Sequence, residues 1–401
     1  MEQRIMAAAP RSVAGHGPAW GILAAISLCH MANDVMQSML AAIYPLLRAE
    51  FDLTYARIGV LTLTFQVTAS LLQPLIGAAT DRHPQPRSLP FGMGSTLIGV
   101  LLLAFAPTYG LLLAGAALIG VGSAVFHPES SRVARLASGG RYGTAQSLFQ
   151  VGGNAGTAIG PLLAAFIVVP LGRPAAAWFA VAAALGAAVL WHVGQWAETR
   201  RRAVAARPDT ALRLPRATVL RAIVVLAILT FAKNIYSAAM TSYFTFFTIE
   251  KFGLGPQGAQ IMLFLFLAGM AAGVLMGGMV GDRVGPLTVI WVSILGVLPF
   301  TLLLPHVGLY ATGALAALIG LVLASAFPAI VVFAQELVPG RTGMIAGLFF
   351  GFSFGMGGIS AAALGLLADA RGIETVFRLT AFLPLLGLLT VLLPRRAQTG
   401  G

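Results

Sequence analysis

Four ionisable residues, Asp34, Glu129, Lys233 and Glu336, fall inside long apolar runs of the chain. Charge is costly in hydrocarbon, so such residues bind a proton, an ion or a charged cargo, or pair with one another. His30, Asn33, Asp34 and Gln37 are spaced i, i+3, i+4, i+7, which aligns them on one helical face. A polar stripe of that kind should border a water-filled cavity. A carboxyl such as Asp34, near the middle of its run, can take and release a proton, as coupled transport requires. The alternative is a static pair with Lys233. His127 and Glu129 flank Pro128, which loosens a helix and frees a carbonyl. Glu129 and Arg132 stand i, i+3, so a proton role and a simple ion pair are both open. Lys233 can neutralise Asp34, hold an anionic cargo or be structural, with Asn234, Tyr236 and Ser237 as polar handles beside it. Gln150 and Asn154, spaced i, i+4, either bind substrate or join helices.

The elements that must position these groups are membrane helices. Hydrophobic residues make up 58% of the chain and charged residues 9%, against about 25% charged in soluble domains. The mean hydropathy is +0.88. Twelve apolar runs reach the length of roughly 20 residues that a bilayer demands. The chain has 47 glycines, an abundance that suits helices packed closely in lipid. The first run, beginning at Trp20, is too long for a signal peptide and reads as a retained span. The expected fold is all-α and integral to the membrane, with twelve transmembrane helices in two six-helix bundles. Their expected bounds are 1–196 and 217–401, joined by a linker over 197–216 rich in arginine.

The net charge of +12 is carried mostly by arginines between the apolar runs. Such placement marks topology rather than a nucleic-acid surface, and it sets both termini in the cytoplasm. The single cysteine, Cys29, excludes an intrachain disulfide framework. No nucleotide loop, metal-ligand spacing or hydrolase triad is present in the sequence, so no enzyme, metal or cofactor is expected.

The halves repeat at an offset of about 200 residues. Arg141, Gly143, Leu148 and Phe149 recur as Arg341, Gly343, Leu348 and Phe349, and Gly77 to Arg82 is echoed by Gly278 to Arg283. Such a repeat suggests a transporter with its site at the midplane between halves. The chemistry is lopsided, however. His30, Asp34, Glu129, Gln150 and Asn154 correspond to Phe231, Ile235, Ala329, Phe350 and Phe354. A polar half faces aromatic walls and one cation, which suits a cargo with an apolar body and an anionic end.

Twelve spans, a basic central loop and Gly-x-x-x-Asp-Arg at Gly77–Arg82 and Gly278–Arg283 resemble the major facilitator superfamily. Phe126-His127-Pro128-Glu129-Ser130-Ser131-Arg132 and Gln150-Val151-Gly152-Gly153-Asn154 resemble, more narrowly, the fosmidomycin resistance proteins. Gly152, Gly156 and Gly160-Pro161 resemble the antiporter motif of superfamily exporters, with Ala164 and Ala165 in place of its final glycines. The resemblance implies proton-driven export of antibiotics by a monomer in the bacterial inner membrane. It also implies that Asp81 latches near Arg341, and Asp282 near Arg141, to close the cytoplasmic side. Expected proton-coupling residues are Asp34, Glu129, His127 and His30. Expected substrate contacts are Asn33, Gln37, Gln150, Asn154, Lys233, Asn234, Tyr236, Phe350 and Phe354. The alternative activity is proton-coupled import of a small metabolite. The missing catalytic clusters argue against an intramembrane enzyme, and the charged midplane against a non-transporting sensor.

Overall fold

The computed structural model describes residues 17–83, 85–205 and 214–394. The described residues are almost all helical, and short turns join the long helices. In the first half they are Trp20–Ala42, Tyr55–Arg82, Ser88–Phe105, Tyr109–Ala137, Tyr142–Leu171 and Arg173–Arg201. In the second they are Arg216–Phe252, Pro256–Val284, Pro286–His306, Leu309–Leu337, Thr342–Arg371 and Ile373–Leu392. We call these the first to twelfth spans. All but the first reach the hydropathy expected of a membrane crossing. The first falls short because one face carries His30, Asn33, Asp34 and Gln37. Outward-facing Leu71, Leu75, Phe91, Phe166 and Leu366 remain exposed around the molecule, the pattern of a lipid-facing belt rather than a soluble surface.

The sixth helix continues to Ala205, past the expected start of the linker at 197. Helix-forming alanine and arginine carry it on, with Glu198 and Arg201 paired at 3.1 Å across one turn. The described end of the sixth helix near 201, residue 19, and the turns near 86, 140, 285 and 340 share one end of the molecule, called the linker end below.

Glycine lets the spans approach. A Cβ added at Gly152, Gly156 or Gly160 would strike Ser27, Met31 or Ser38 of the first span. The glycine pattern of the fifth span is therefore its contact face with the first, as small residues every four positions allow. The halves meet by the same device at the linker end. A Cβ at Gly77 would collide with the backbone of Gly343, and one at Gly143 with the backbone of Gly278. These paired glycine contacts seal the linker end, so the structure is closed there.

Candidate functional site

The polar stripe of the first span does not face open water. It is buried, and it meets the fourth span. His30 Nδ1 lies 2.8 Å from the Phe149 carbonyl, and His127 Nδ1 lies 2.9 Å from the Ser123 carbonyl. A carbonyl oxygen only accepts, so each Nδ1 carries a proton and donates it. The two Nε2 atoms then face each other at 3.1 Å. Asp34 stands beside both, at 3.4 Å from His30 and 3.8 Å from His127. Two neutral imidazoles in these tautomers would oppose lone pair to lone pair. The hydrogen bond between them needs one additional proton, whose charge the carboxylate balances. Gly153 creates the room: a Cβ there would overlap the His30 ring. Phe149 stacks on His30 at 4.1 Å, and Phe350 of the other half covers His127 at 5.0 Å.

Asn33 and Gln37, expected as substrate contacts, are engaged with Asp34 in this structure. Both donate to Asp34 Oδ1, at 3.1 and 2.9 Å, and Ser123 in turn donates to Gln37. A buried carboxylate needs several donors, and these amides supply them. Tyr236, also expected as a substrate contact, has its ring buried in the second-half core with Met240 and Phe244. Its large apolar body packs on that helix face.

A cavity of about 160 Å³ lies between the halves. The first half contributes His30, Asp34, Gln150 and Asn154; the second contributes Lys233, Asn234, Phe327 and Phe350. Lys233 is buried and forms no ion pair among the described residues; its Nζ sits 5.6 Å from the centre of the Phe327 ring. The alternative, a static pair with Asp34, is thus not formed here; the imidazoles stand beside the carboxylate instead. The Phe354 side chain lies outside those described. Phe327, Gly153 and Thr157 line the cavity without having been expected to. The first is visible in the sequence only as the repeat partner of Phe126, and the other two lie within the glycine-rich stretch.

Glu129 belongs to a separate cluster. It pairs with Arg132 at 2.9 Å, and Arg132 reaches Asp81 at 2.7 Å and Thr80 at 3.0 Å. The expected latches need a different partner. Asp81 accepts from the backbone N–H groups of Gly343 and Met344, at 3.0 and 2.7 Å, and Asp282 from those of Gly143 and Thr144, at 2.7 and 2.9 Å. Arg341 and Arg141 stay exposed. Each aspartate caps the start of a helix in the opposite half, where unpaired amides and the helix dipole attract a carboxylate. Neither helix has a side-chain cap of its own at that position. Glu336 borders the cavity that Asp282 lines.

Among the described residues, His30, Asp34 and His127 have ligand-type atoms within 4.8 Å of one another, a grouping the sequence spacing does not reveal. Their mutual hydrogen bonds and ion pairs already account for that closeness.

The Major Facilitator Superfamily model matches residues 26–360 and 226–400. The chain belongs to that superfamily. It is a transporter, not an enzyme. The transporter is 56% identical over 377 residues to the fosmidomycin resistance protein of Escherichia coli (strain K12), covering 94% of this chain and 93% of that one. It is 41% identical over 378 residues to the uncharacterized MFS-type transporter YfnC of Bacillus subtilis (strain 168), covering 93% and 92%. Its fold matches the outward conformation of the transporter FucP, with a TM-score of 0.71, 16% identity and coverage of 92% and 97%. It also matches the human organic anion transporter MFSD10, with a TM-score of 0.72, 17% identity and coverage of 94% and 100%.

Proposed function

We propose that the transporter is a proton-coupled antiporter. It exports small anionic or amphiphilic compounds of the fosmidomycin type from the cytoplasm across a bacterial inner membrane. The fosmidomycin resistance protein it resembles supports the cargo. The arginine-rich linker supports cytoplasmic termini. The observation that carries the reading is a cavity with Asp34 and His30 on one wall and Lys233 on the other. Asp34, His30 and His127 take the proton, and Lys233 takes the anionic end of the cargo. Phe327 and Phe350 receive its apolar body. Alternating access follows as the halves rock about this site and the glycine contacts at the linker end part and reform. One protomer contains the whole site, which supports a monomer.

Exchange requires that proton and cargo compete. A cargo that donates a hydrogen bond to Asp34 draws the carboxylate away from the extra proton it balances on the imidazole pair, so the two exclude each other. A cargo that only presents an anion to Lys233 behaves oppositely, because the protonated cluster adds positive charge nearby. The proximity of Lys233 to the cluster thus favours, for a purely anionic solute, a second reading: proton-coupled uptake. Proteoliposomes with an imposed pH gradient and labelled fosmidomycin separate the two. Antiport predicts movement against the direction of proton flow. Movement with the protons would overturn antiport in favour of uptake, and no movement would overturn the cargo.

A further inference from the structure

A second cavity, of about 410 Å³, opens at the linker end, well separated from the site between Asp34 and Lys233 in its lining residues. Its wall is formed where the fourth and sixth spans end and the loops near 140 and 340 meet. Arg132, Arg135, Arg200 and Arg201 line it, with Glu129 the one carboxylate among its lining residues. Four guanidinium groups around one recess is an unusual concentration in a chain with 9% charged residues. Like charges crowd together at a cost unless something of opposite sign joins them.

Part of that positive charge is already answered. Arg132 is held by Glu129 and Asp81, and Arg201 reaches Glu198 at 3.1 Å. Arg135 lies 4.2 Å from the centre of the Tyr142 ring and contacts Gln335, with Glu336 close enough to act on it electrostatically. The remainder is not answered. Arg200 forms no ion pair among the described residues, and Arg201 Nε is buried without a hydrogen-bond partner. The Arg201 side chain is 39% exposed, so the rest of its guanidinium fork is open to a group that enters the recess. Guanidinium is the side chain best matched to a tetrahedral oxyanion, because its fork of N–H donors meets two oxygens at once. Val133, Leu136 and Tyr142 give the same recess apolar walls.

We infer that this cavity is a binding site for a phosphate-type oxyanion, held chiefly by Arg200 and Arg201. Two sources share that chemistry: the headgroup of an anionic phospholipid and a free phosphate or phosphonate. The inference does not rest on the proposed cargo or on proton coupling. Its connection to transport is Arg132, which lines the cavity and also holds Asp81 at the seam between the halves.

The test uses the purified, delipidated full chain. Binding of inorganic phosphate is measured by titration calorimetry, and retention of phosphatidylglycerol against phosphatidylcholine by native mass spectrometry. The Arg200→Gln/Arg201→Gln double variant should weaken the bound species by roughly tenfold or more, the loss expected for a charge-assisted pair of donors. Arg371→Gln, an exposed site at the opposite end, removes charge elsewhere and should leave binding unchanged. The lysine double variant keeps the charge and loses the fork, so intermediate weakening is expected and guards against a folding artefact. Phosphate binding that the double variant weakens supports a free oxyanion. Selective phosphatidylglycerol retention that it abolishes supports a lipid headgroup. Absence of both, or binding that the double variant keeps, overturns the site.

Discussion

Asp34 accepts hydrogen bonds from two amides and stands beside two imidazoles whose Nδ1 protons are already committed to backbone carbonyls. Its place in the cycle follows from that crowding: the carboxylate stabilises the one extra proton that the imidazole pair needs. In Asp34→Asn the counter-charge is gone while the neighbouring donors and cavity shape are kept. Transport driven by a pH gradient should fall by tenfold or more, about 1.4 kcal/mol of coupling lost, while cargo exchange without a gradient persists. Unchanged gradient-driven transport in vesicles would remove Asp34 from the coupling step. Lys233 makes a separate claim, since it shares the cavity without sharing an ion pair with Asp34. Lys233→Ala should weaken an anionic cargo by roughly tenfold, the order expected for a charge-assisted contact, and a neutral cargo much less. Equal losses, read from competition binding, would make the lysine structural. At this scale the sequence is partly readable. The stripe from His30 to Gln37 lies on one helix, so spacing alone aligns it. His127 joins from a distant helix, and no local pattern announces a partner 97 positions away.

Elements explain why the latches go to amides rather than arginines. The fifth and eleventh spans begin at Tyr142 and Thr342 with no side-chain cap from their own N-cap residues. The first N–H donors of a helix are a property of where it starts in space, and they have no residue type by which a sequence displays them. The aspartates themselves are legible because they recur at repeat positions, as are the glycines that allow approach. The close contacts between Gly77 and Gly343, and between Gly143 and Gly278, make a direct prediction. Gly143→Val inserts branched carbon where only backbone fits. Overpacking of this kind costs typically about 1–3 kcal/mol, and here the cost falls on the closed linker end alone. The variant should shift the protein toward linker-end opening, measured as a longer distance between spin labels placed at the exposed positions Thr288 and His83. A distance distribution identical to the parent's would mean that the seam yields without separating the halves.

For the whole molecule, the two seams look equivalent by repeat and differ in strength. Asp282 is held by two amides and the Thr144 hydroxyl. Asp81 is held by two amides and also by Arg132, which ties it to Glu129 in the fourth span. A molecule that rocks as two rigid halves must break both seams together; Arg132 lies in the same half as Asp81, so it acts on closure by holding that carboxylate toward the two amides. Asp81→Asn turns one accepting oxygen into a donor and strips Arg132 of a partner, so it loses hydrogen bonds to charge worth about 1.5–3 kcal/mol each. Asp282→Asn loses amide contacts of the same kind without an arginine. Asp81→Asn should therefore open the linker end further. Ser147→Cys reports on this: Ser147 is buried in the structure, and Gly278 of the other half packs closely over it. Its labelling by a soluble thiol reagent, corrected for the native Cys29, should rise more in Asp81→Asn than in Asp282→Asn. Equal rises would show that Arg132 contributes nothing to closure. A larger rise in Asp282→Asn would reverse the assignment and make the plainer seam the stronger one. The uneven seams match the uneven cavity, in which one half holds the imidazole cluster and the other the lone lysine. Both asymmetries follow from the same cause: the repeat preserves the backbone contacts that permit rocking, and the side chains laid on it are free to diverge.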